Sequence, residues 1–246
     1  MKIFLIRHGE SIQNTKESYG KSIPDSKIVL TNKGKEQARK AGEFLKDFCE
    51  KENIDLDKAR MWVSPFERTR ETARIINESL NIKDVKEDIA LIEQRYGLFS
   101  DDYLDNLKER FPEEFKNYDM HFQNDAKFYA VFPQGEAPYD VALRVRQFIE
   151  TIHRDLDHGI DTLFIVSHGV VIKSFVLDFL HMTPEWYNKE ITPGNCAIRY
   201  IKGENKAKCQ CPTKNKIGLG SFLESTQIFS SVMEYFNLIN FLLTYY

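Results

Sequence analysis

Four short stretches of this 246-residue chain carry the residue types that could do chemistry: Arg7-His8-Gly9-Glu10, Ser64 to Arg68, Glu93, and Ser167-His168-Gly169. Guanidinium groups present planar forks that match oxyanions, imidazoles move protons near neutral pH, and a carboxyl group can act as acid or base. Singly each signal is weak, because a lone Arg or His most often sits on a surface as a solvated or capping group. Brought together they would make a small cationic pocket with a base and an acid inside it.

The elements flanking these stretches predict that they do come together. Residues 2–6 read as a buried strand, 60–64 as a second, 84–92 as a third and 162–166 as a fourth. Between them, Thr31 caps a helix with Ala38, Ala41, Leu45 and Phe48 on its inner face, and Pro65 suits the first turn of a helix striped by Thr69, Thr72, Ala73, Ile76 and Leu80. A further helix opens at Pro138 with Val141, Val145, Phe148, Ile149, Ile152 and Leu156 on one face, and Gly169 opens another. Strands alternating with helices predict an α/β fold: a mostly parallel central sheet with helices on both faces. Ligands in such sheets bind beyond the carboxyl ends of the strands, where all four stretches fall.

Two regions break the pattern. Residues 98–134 are acidic and aromatic, with Phe115, Tyr118, Phe122, Phe128, Tyr129 and Phe132, and read as an inserted helical lid. From residue 203 to 246 a polar, basic linker leads into an apolar stretch, Phe222 to Tyr246, expected to form one or two helices of unknown role. The expected division is thus a domain over 1–202 and an appended tail.

Charge narrows the partners. Thirty-four Lys and Arg stand against 37 Asp and Glu, a formal net charge of -3, so no global basic field exists to hold a nucleic acid. The first apolar run, Ile3 to Ile6, is far shorter than a signal-peptide core, and Ile228 to Tyr246 is interrupted by Glu234, Asn237 and Asn240, so stable membrane insertion is not expected. Four cysteines without a framework point to a reducing, cytoplasmic setting.

The motifs, in order and spacing, resemble those of the histidine phosphatase superfamily, which holds phosphoglycerate mutases, fructose-bisphosphatase domains and broad-range acid phosphatases. The matching residues are Leu5 to Ser11 with Asn14; Leu30-Thr31 with Gly34, Gln37 and Ala38; Ser64-Pro65 with Arg68, Thr69, Thr72 and Ala73; Glu93 with Gly97; and Ser167-His168-Gly169. Phe132 to Glu136 and Pro193 to Cys196 resemble the acid phosphatase branch more than the glycolytic mutases.

The resemblance implies a phosphoglycerate mutase-like fold and a phosphomonoester hydrolase needing neither metal nor cofactor. His8 would attack phosphorus to form a phosphohistidine, splitting one difficult displacement into two. Arg7, Arg68, His168, Asn14 and the backbone at Gly169 would hold the phosphate oxygens, and Glu93 would protonate the leaving oxygen and then activate water. The implied partner is a small-molecule phosphate ester, and a homodimer is compatible with the chain. A phosphoglycerate mutase-type transferase is the alternative, disfavoured because no adjacent Arg pair occurs in 98–134; an inactive phosphoester-binding protein is disfavoured because nucleophile and acid are both kept.

Other candidates have plainer readings. Glu10 is expected to cap rather than react, and Arg70, about 200° around its helix from Arg68, to make a surface ion pair. His121, His153, His158 and His181 lack metal-ligand spacing, as does Cys209-Gln210-Cys211, and Cys49 reads as a helix residue.

Overall fold

The computed structural model describes residues 1–15, 23–99, 104–203 and 226–229. Among the described residues six strands form one sheet: β1 (Lys2–Arg7), β2 (Ala59–Val63), β3 (Asp84–Glu87), β4 (Thr162–Ser167), β5 (Ile198–Lys202) and β6 (Thr226–Phe229). Their order is β3-β2-β4-β1-β5-β6. Pairings among β1 to β4 are parallel, and β5 pairs antiparallel with both β1 and β6. The expected α/β architecture is present, with an antiparallel edge added to the parallel core.

Alternation along each strand feeds two separate cores. Phe4 and Ile6 point to one face with Phe164 and Val166, against α1 (Asn32–Lys51) and α2 (Glu67–Leu80) through Ala38, Ala41, Leu45, Ala73 and Ile76. Ile3 and Leu5 point to the other with Leu163 and Ile165, against α5 (Pro138–Asp157) and α6 (Gly169–Phe179) through Val141, Phe148, Ile152, Ile172 and Phe175. Phe4 stacks on Phe164 and on Tyr200, with both centroid separations 4.7 Å. Truncating it to Ala would cost about 3–5 kcal/mol by the usual cavity rule.

The topology places the site. After β1 the chain leaves to α1 on one face, whereas after the neighbouring β4 it leaves to α6 on the other, so a crevice opens between their carboxyl ends. The backbone stays in register to the edge: His8 N–H donates to Ser167 O at 3.0 Å and Ser64 N–H to Val166 O at 3.0 Å.

Several expectations need correcting. The third strand ends at Glu87 rather than 92, because Asp88 caps a 3-10 turn, Ile89–Leu91, by accepting from Ala90 N–H at 2.7 Å. Glu93 therefore leaves a loop. Pro65 lies before Phe66, the N-cap of α2, and so outside the helix. In the region expected to be a helical tail, Thr226–Phe229 pairs with Ile198–Ile201 as a strand; the rest of that tail, with Cys209 and Cys211, lies outside the described residues.

Within 98–134 the described elements are helical, as expected: α3 (Leu104–Arg110), α4 (Pro112–Gln123) and a 3-10 turn, Lys127–Tyr129. Its aromatics form a chain of contacts from Phe99 to Phe132 and Tyr118, and from Phe132 to Tyr96, three residues beyond Glu93. A short helix, α7 (Pro184–Lys189), precedes β5. No helix among the described residues is long and apolar enough to cross a membrane.

Candidate active site

His8 follows β1 in a turn that only glycines permit. A Cβ on Gly9 would lie 2.5 Å from Gly34 O, and one on Gly34 would lie 2.0 Å from Glu10 O. The turn thus packs backbone to backbone on the first turn of α1, where Thr31 Oγ1 accepts from Gly34 N–H at 3.0 Å. Glu10 supports the cap rather than forming it: its carboxylate accepts from Thr31 Oγ1 at 2.9 Å and Lys33 Nζ at 2.8 Å, and the Lys33 contact is the main cause holding its pKa below the ordinary value.

The His8 ring is buried, and its Nδ1 lies 2.8 Å from Gly9 O. A carbonyl can only accept, so Nδ1 carries the proton and a neutral ring has its lone pair on Nε2. Burial, then Arg68 and Arg7, push the His8 pKa well below its ordinary value, which keeps that lone pair available. This is the electronic state a nucleophilic imidazole needs.

His168 follows β4 and serves as the N-cap position of α6, so its ring and the first N–H groups of the helix meet the same crevice. Its centroid is 5.2 Å from that of His8. Nε2 lies 2.8 Å from Ser64 Oγ, at the end of β2, while Nδ1 is buried with no partner among the described residues. A serine hydroxyl can donate or accept; with Ser64 donating to Nε2, Nδ1 would carry the proton and face the crevice as a donor. Gly169 admits close packing here: a Cβ would lie 2.4 Å from Thr192 Cγ2 and 3.7 Å from Arg7 Nε.

Arg7 and Arg68 supply the charge. Arg7 Nη1 donates to Pro193 O at 2.7 Å, and Arg68 Nη1 donates to Asp25 Oδ1 at 2.7 Å and Asp25 O at 2.8 Å. Both Nε atoms are buried without a partner among the described residues. Two buried N–H donors left open is a costly arrangement unless a ligand completes it. Phe66 underlies Arg68, 5.0 Å from ring centroid to guanidinium carbon.

Glu93 faces the same charges. Burial raises its pKa above the ordinary carboxylate value, while Gln94 N–H at 2.9 Å, Arg68 and Arg7 oppose the rise. Tyr96 is raised well above its ordinary value by burial first and then by Glu93, which puts it in the same enclosure.

Of the expected residues, His8, His168, Arg7, Arg68, Glu93 and Gly169 converge. Asn14 is different in kind: it is exposed, and its Oδ1 accepts from Ser11 N–H at 3.0 Å and from Asn195 Nδ2 at 3.2 Å, so it closes the turn, with Asn195 also donating to His8 O at 3.2 Å. Arg70 pairs with Glu87 at 2.6 Å on the surface, as its position around α2 predicts. His153, His158 and His181 are exposed and His121 half-buried. Among the described residues no group of three or more His, Cys, Asp or Glu is placed to hold a metal ion.

Three contributors escaped sequence reasoning. Ser64 entered only as a motif letter, Asp25 not at all, and Arg144 not at all. Arg144 fastens the Glu93 loop: Nη1 donates to Ala90 O at 2.6 Å, Nη2 to Glu93 O at 3.2 Å, and Nε to Glu136 Oε1 at 3.2 Å. Glu136 also accepts from Arg95 N–H at 2.9 Å, and its backbone O takes Gln94 Nε2 at 2.6 Å. With both oxygens committed, Glu136 is a brace rather than a spare acid. Arg144 did leave a signal: three residues after Val141 and four before Phe148, it interrupts an apolar stripe.

Comparison with known proteins agrees with this geometry. Residues 3–211 match the histidine phosphatase superfamily (branch 1). The chain belongs to that family. It is 31% identical over 216 residues to a phosphoglycerate mutase-like protein of Arabidopsis thaliana, covering 82% of this chain and 73% of the relative. Over a second such Arabidopsis protein it spans 64% of the relative's length. It is 30% identical over 175 residues to phosphoserine phosphatase 1 of Hydrogenobacter thermophilus, covering 71% of this chain and 74% of that one. In fold it is similar to the alpha-ribazole phosphatase of Shigella flexneri, with a TM-score of 0.66 at 22% identity over 83% of this chain and 92% of that one. Family membership gives the chain the phosphatase and mutase class of phosphohistidine chemistry.

Proposed function

We propose that the protein hydrolyses small phosphomonoesters in the cytoplasm, through a phosphohistidine on His8 and without a metal or other cofactor. The observation that carries the reading is the electronic state of the two central groups: His8 is held neutral with Nε2 free, and Glu93 is biased toward its protonated form. A nucleophile without its proton and an acid with one are the pair that the first step requires.

In that step Nε2 attacks phosphorus, the bond from phosphorus to the ester oxygen breaks, and Glu93 gives its proton to the departing oxygen. Charge spreading over the equatorial oxygens meets Arg7 Nε, Arg68 Nε, His168 Nδ1 and the N-terminus of α6, with Asn14 at the rim. In the second step the Glu93 carboxylate takes a proton from water as that water attacks phosphorus, the N–P bond breaks, and neutral His8 and inorganic phosphate return. Arg144 and Glu136 hold the Glu93 loop in place through both.

The insertion over 98–134 acts as a lid on this edge, and its aromatic chain suits esters with a partly apolar alcohol. That gives the enzyme the broad-range, acid phosphatase character which the motifs resemble. A mutase would share the first step and pass the phosphoryl group to phosphoglycerate instead of water. Trapping the phosphoenzyme from para-nitrophenyl phosphate, then timing its decay with and without phosphoglycerate, tests the proposal. Decay to inorganic phosphate at a rate phosphoglycerate does not change is expected; faster decay with transfer to the acceptor makes the protein a mutase.

A further inference from the structure

We propose that Asp25 is a positioning residue for the phosphate cradle: by gripping one edge of the Arg68 guanidinium it turns the other edge toward the ligand. A guanidinium has five N–H groups, two on each Nη and one on Nε. Asp25 takes both protons of Nη1, through its backbone O at 2.8 Å and Oδ1 at 2.7 Å, and Oδ2 lies 3.4 Å from Nη2. That is the end-on fork. What remains is Nε–H and the second proton of Nη2, which lie parallel on the side edge and form the other bidentate face.

The remaining face is held ready. Arg68 is 1% exposed, its Nε has no partner among the described residues, and Phe66 supports the plane of the group from one side. Asp25 itself is fixed by a 3-10 turn, Asp25–Lys27, against the start of α2, where Lys27 reaches Glu67 at 4.0 Å. The carboxylate is 38% exposed, and without its grip Arg68 could swing its forks away from the phosphate. A carboxylate on one edge and a phosphate on the other share a single cation, and Arg7 supplies the second positive charge.

The opposite role would be a gate, with Asp25 sitting where phosphate must bind and leaving as it enters. The two roles predict opposite signs. The test uses the full chain with orthovanadate and inorganic phosphate, binding read by calorimetry and turnover with para-nitrophenyl phosphate. For positioning, Asp25→Ala lowers kcat about 10-fold or more with KM changed far less, and weakens vanadate binding more than phosphate binding, because a misaimed donor matters most to the transition-state geometry. Asp25→Asn, which keeps one acceptor for Nη1, falls between. In an Arg68→Lys background, Asp25→Ala adds almost nothing, since its effect runs through the fork that lysine lacks. Unchanged melting temperatures separate this from loss of fold.

Tighter vanadate and a raised kcat/KM in Asp25→Ala make Asp25 a gate and overturn the inference, as do equal losses in the two Arg68 backgrounds. The kinetic arm rests on the hydrolase reading; the vanadate arm does not. A wild type that turns over nothing yet loses vanadate affinity on Asp25→Ala would sink that reading alone, and an unchanged affinity would sink this inference alone.

Discussion

His8 and His168 directly follow neighbouring parallel strands with their ring centroids 5.2 Å apart, and each has one ring nitrogen tied to the protein: Nδ1 of His8 to Gly9 O, Nε2 of His168 to Ser64 Oγ. The carbonyl fixes the His8 tautomer, with the lone pair on Nε2, whereas the hydroxyl beside His168 can donate or accept. With Ser64 donating, His168 presents an N–H donor beside that lone pair, and the contacts behind the two rings divide the labour between them.

The nucleophile is tested by His8→Ala, which should remove turnover. Wild-type enzyme quenched during the reaction should carry a phosphoryl group that is lost in acid and survives base, as a phosphoramidate does. A base-labile, acid-stable adduct would point to a carboxylate or hydroxyl nucleophile instead.

Glu93→Gln should separate substrates by leaving group. An alkyl phosphate needs its departing oxygen protonated, and a nitrophenolate does not, so phosphorylation should fall far more with the former. The second step slows for both, giving a burst of nitrophenol before slow turnover. Equal losses with no burst would take the acid role away from Glu93.

Arg144→Gln should give a weaker version of the same signature. It removes the bonds to Ala90 O and Glu93 O that fix the acid loop, without touching the phosphate donors. A larger drop for alkyl than nitrophenyl phosphate, with vanadate affinity kept, is the expected pattern. A uniform loss on both substrates would make the side chain important for stability alone.

Arg68→Ala should cost about 2.7 kcal/mol or more of transition-state stabilisation, the scale of losing one oxyanion donor. Chelators should leave wild-type activity intact, and phosphate and vanadate should inhibit competitively. Activity that depends on an added divalent metal would contradict the cradle.

Acid should destabilise the fold through the histidines. Both pKa values lie well below 6.5 in the folded protein, chiefly from burial, so the unfolded chain binds protons first as pH falls. Stability is intact above 6.5 and is lost below it, at about 1.4 kcal/mol per pH unit for each histidine until its folded-state pKa is reached. Glu93 works in the other direction: its raised pKa makes the folded state bind the proton, a contribution lost as pH climbs through that value. Melting curves from pH 7 to 5 should show the wild type losing more than a His8→Gln, His168→Gln double variant. Parallel slopes would mean that neither ring is held neutral.

Much of this was legible in the sequence because strand ends and motif letters coincide: Arg7, His8, Arg68 and His168 leave apolar runs whose burial is obvious from composition. The third strand was overread because Ile89 and Leu91 look like strand residues, and only the cap that Asp88 places on Ala90 N–H shows the chain turning there. Asp25 was invisible for another reason. It acts 43 positions away on Arg68, and no local pattern encodes a carboxylate that grips a distant guanidinium.

The contact between Gly9 and Gly34 has a mechanical consequence. With no side chain at either position, the turn bearing His8 lies flush on the start of α1, anchored to a helix of 20 residues. That bank of the crevice has no slack. The opposite bank, the Glu93 loop with its aromatic neighbours, hangs from side-chain bonds to Arg144 and Glu136. The two banks of the crevice are thus fastened differently, one backbone on backbone and the other through side chains.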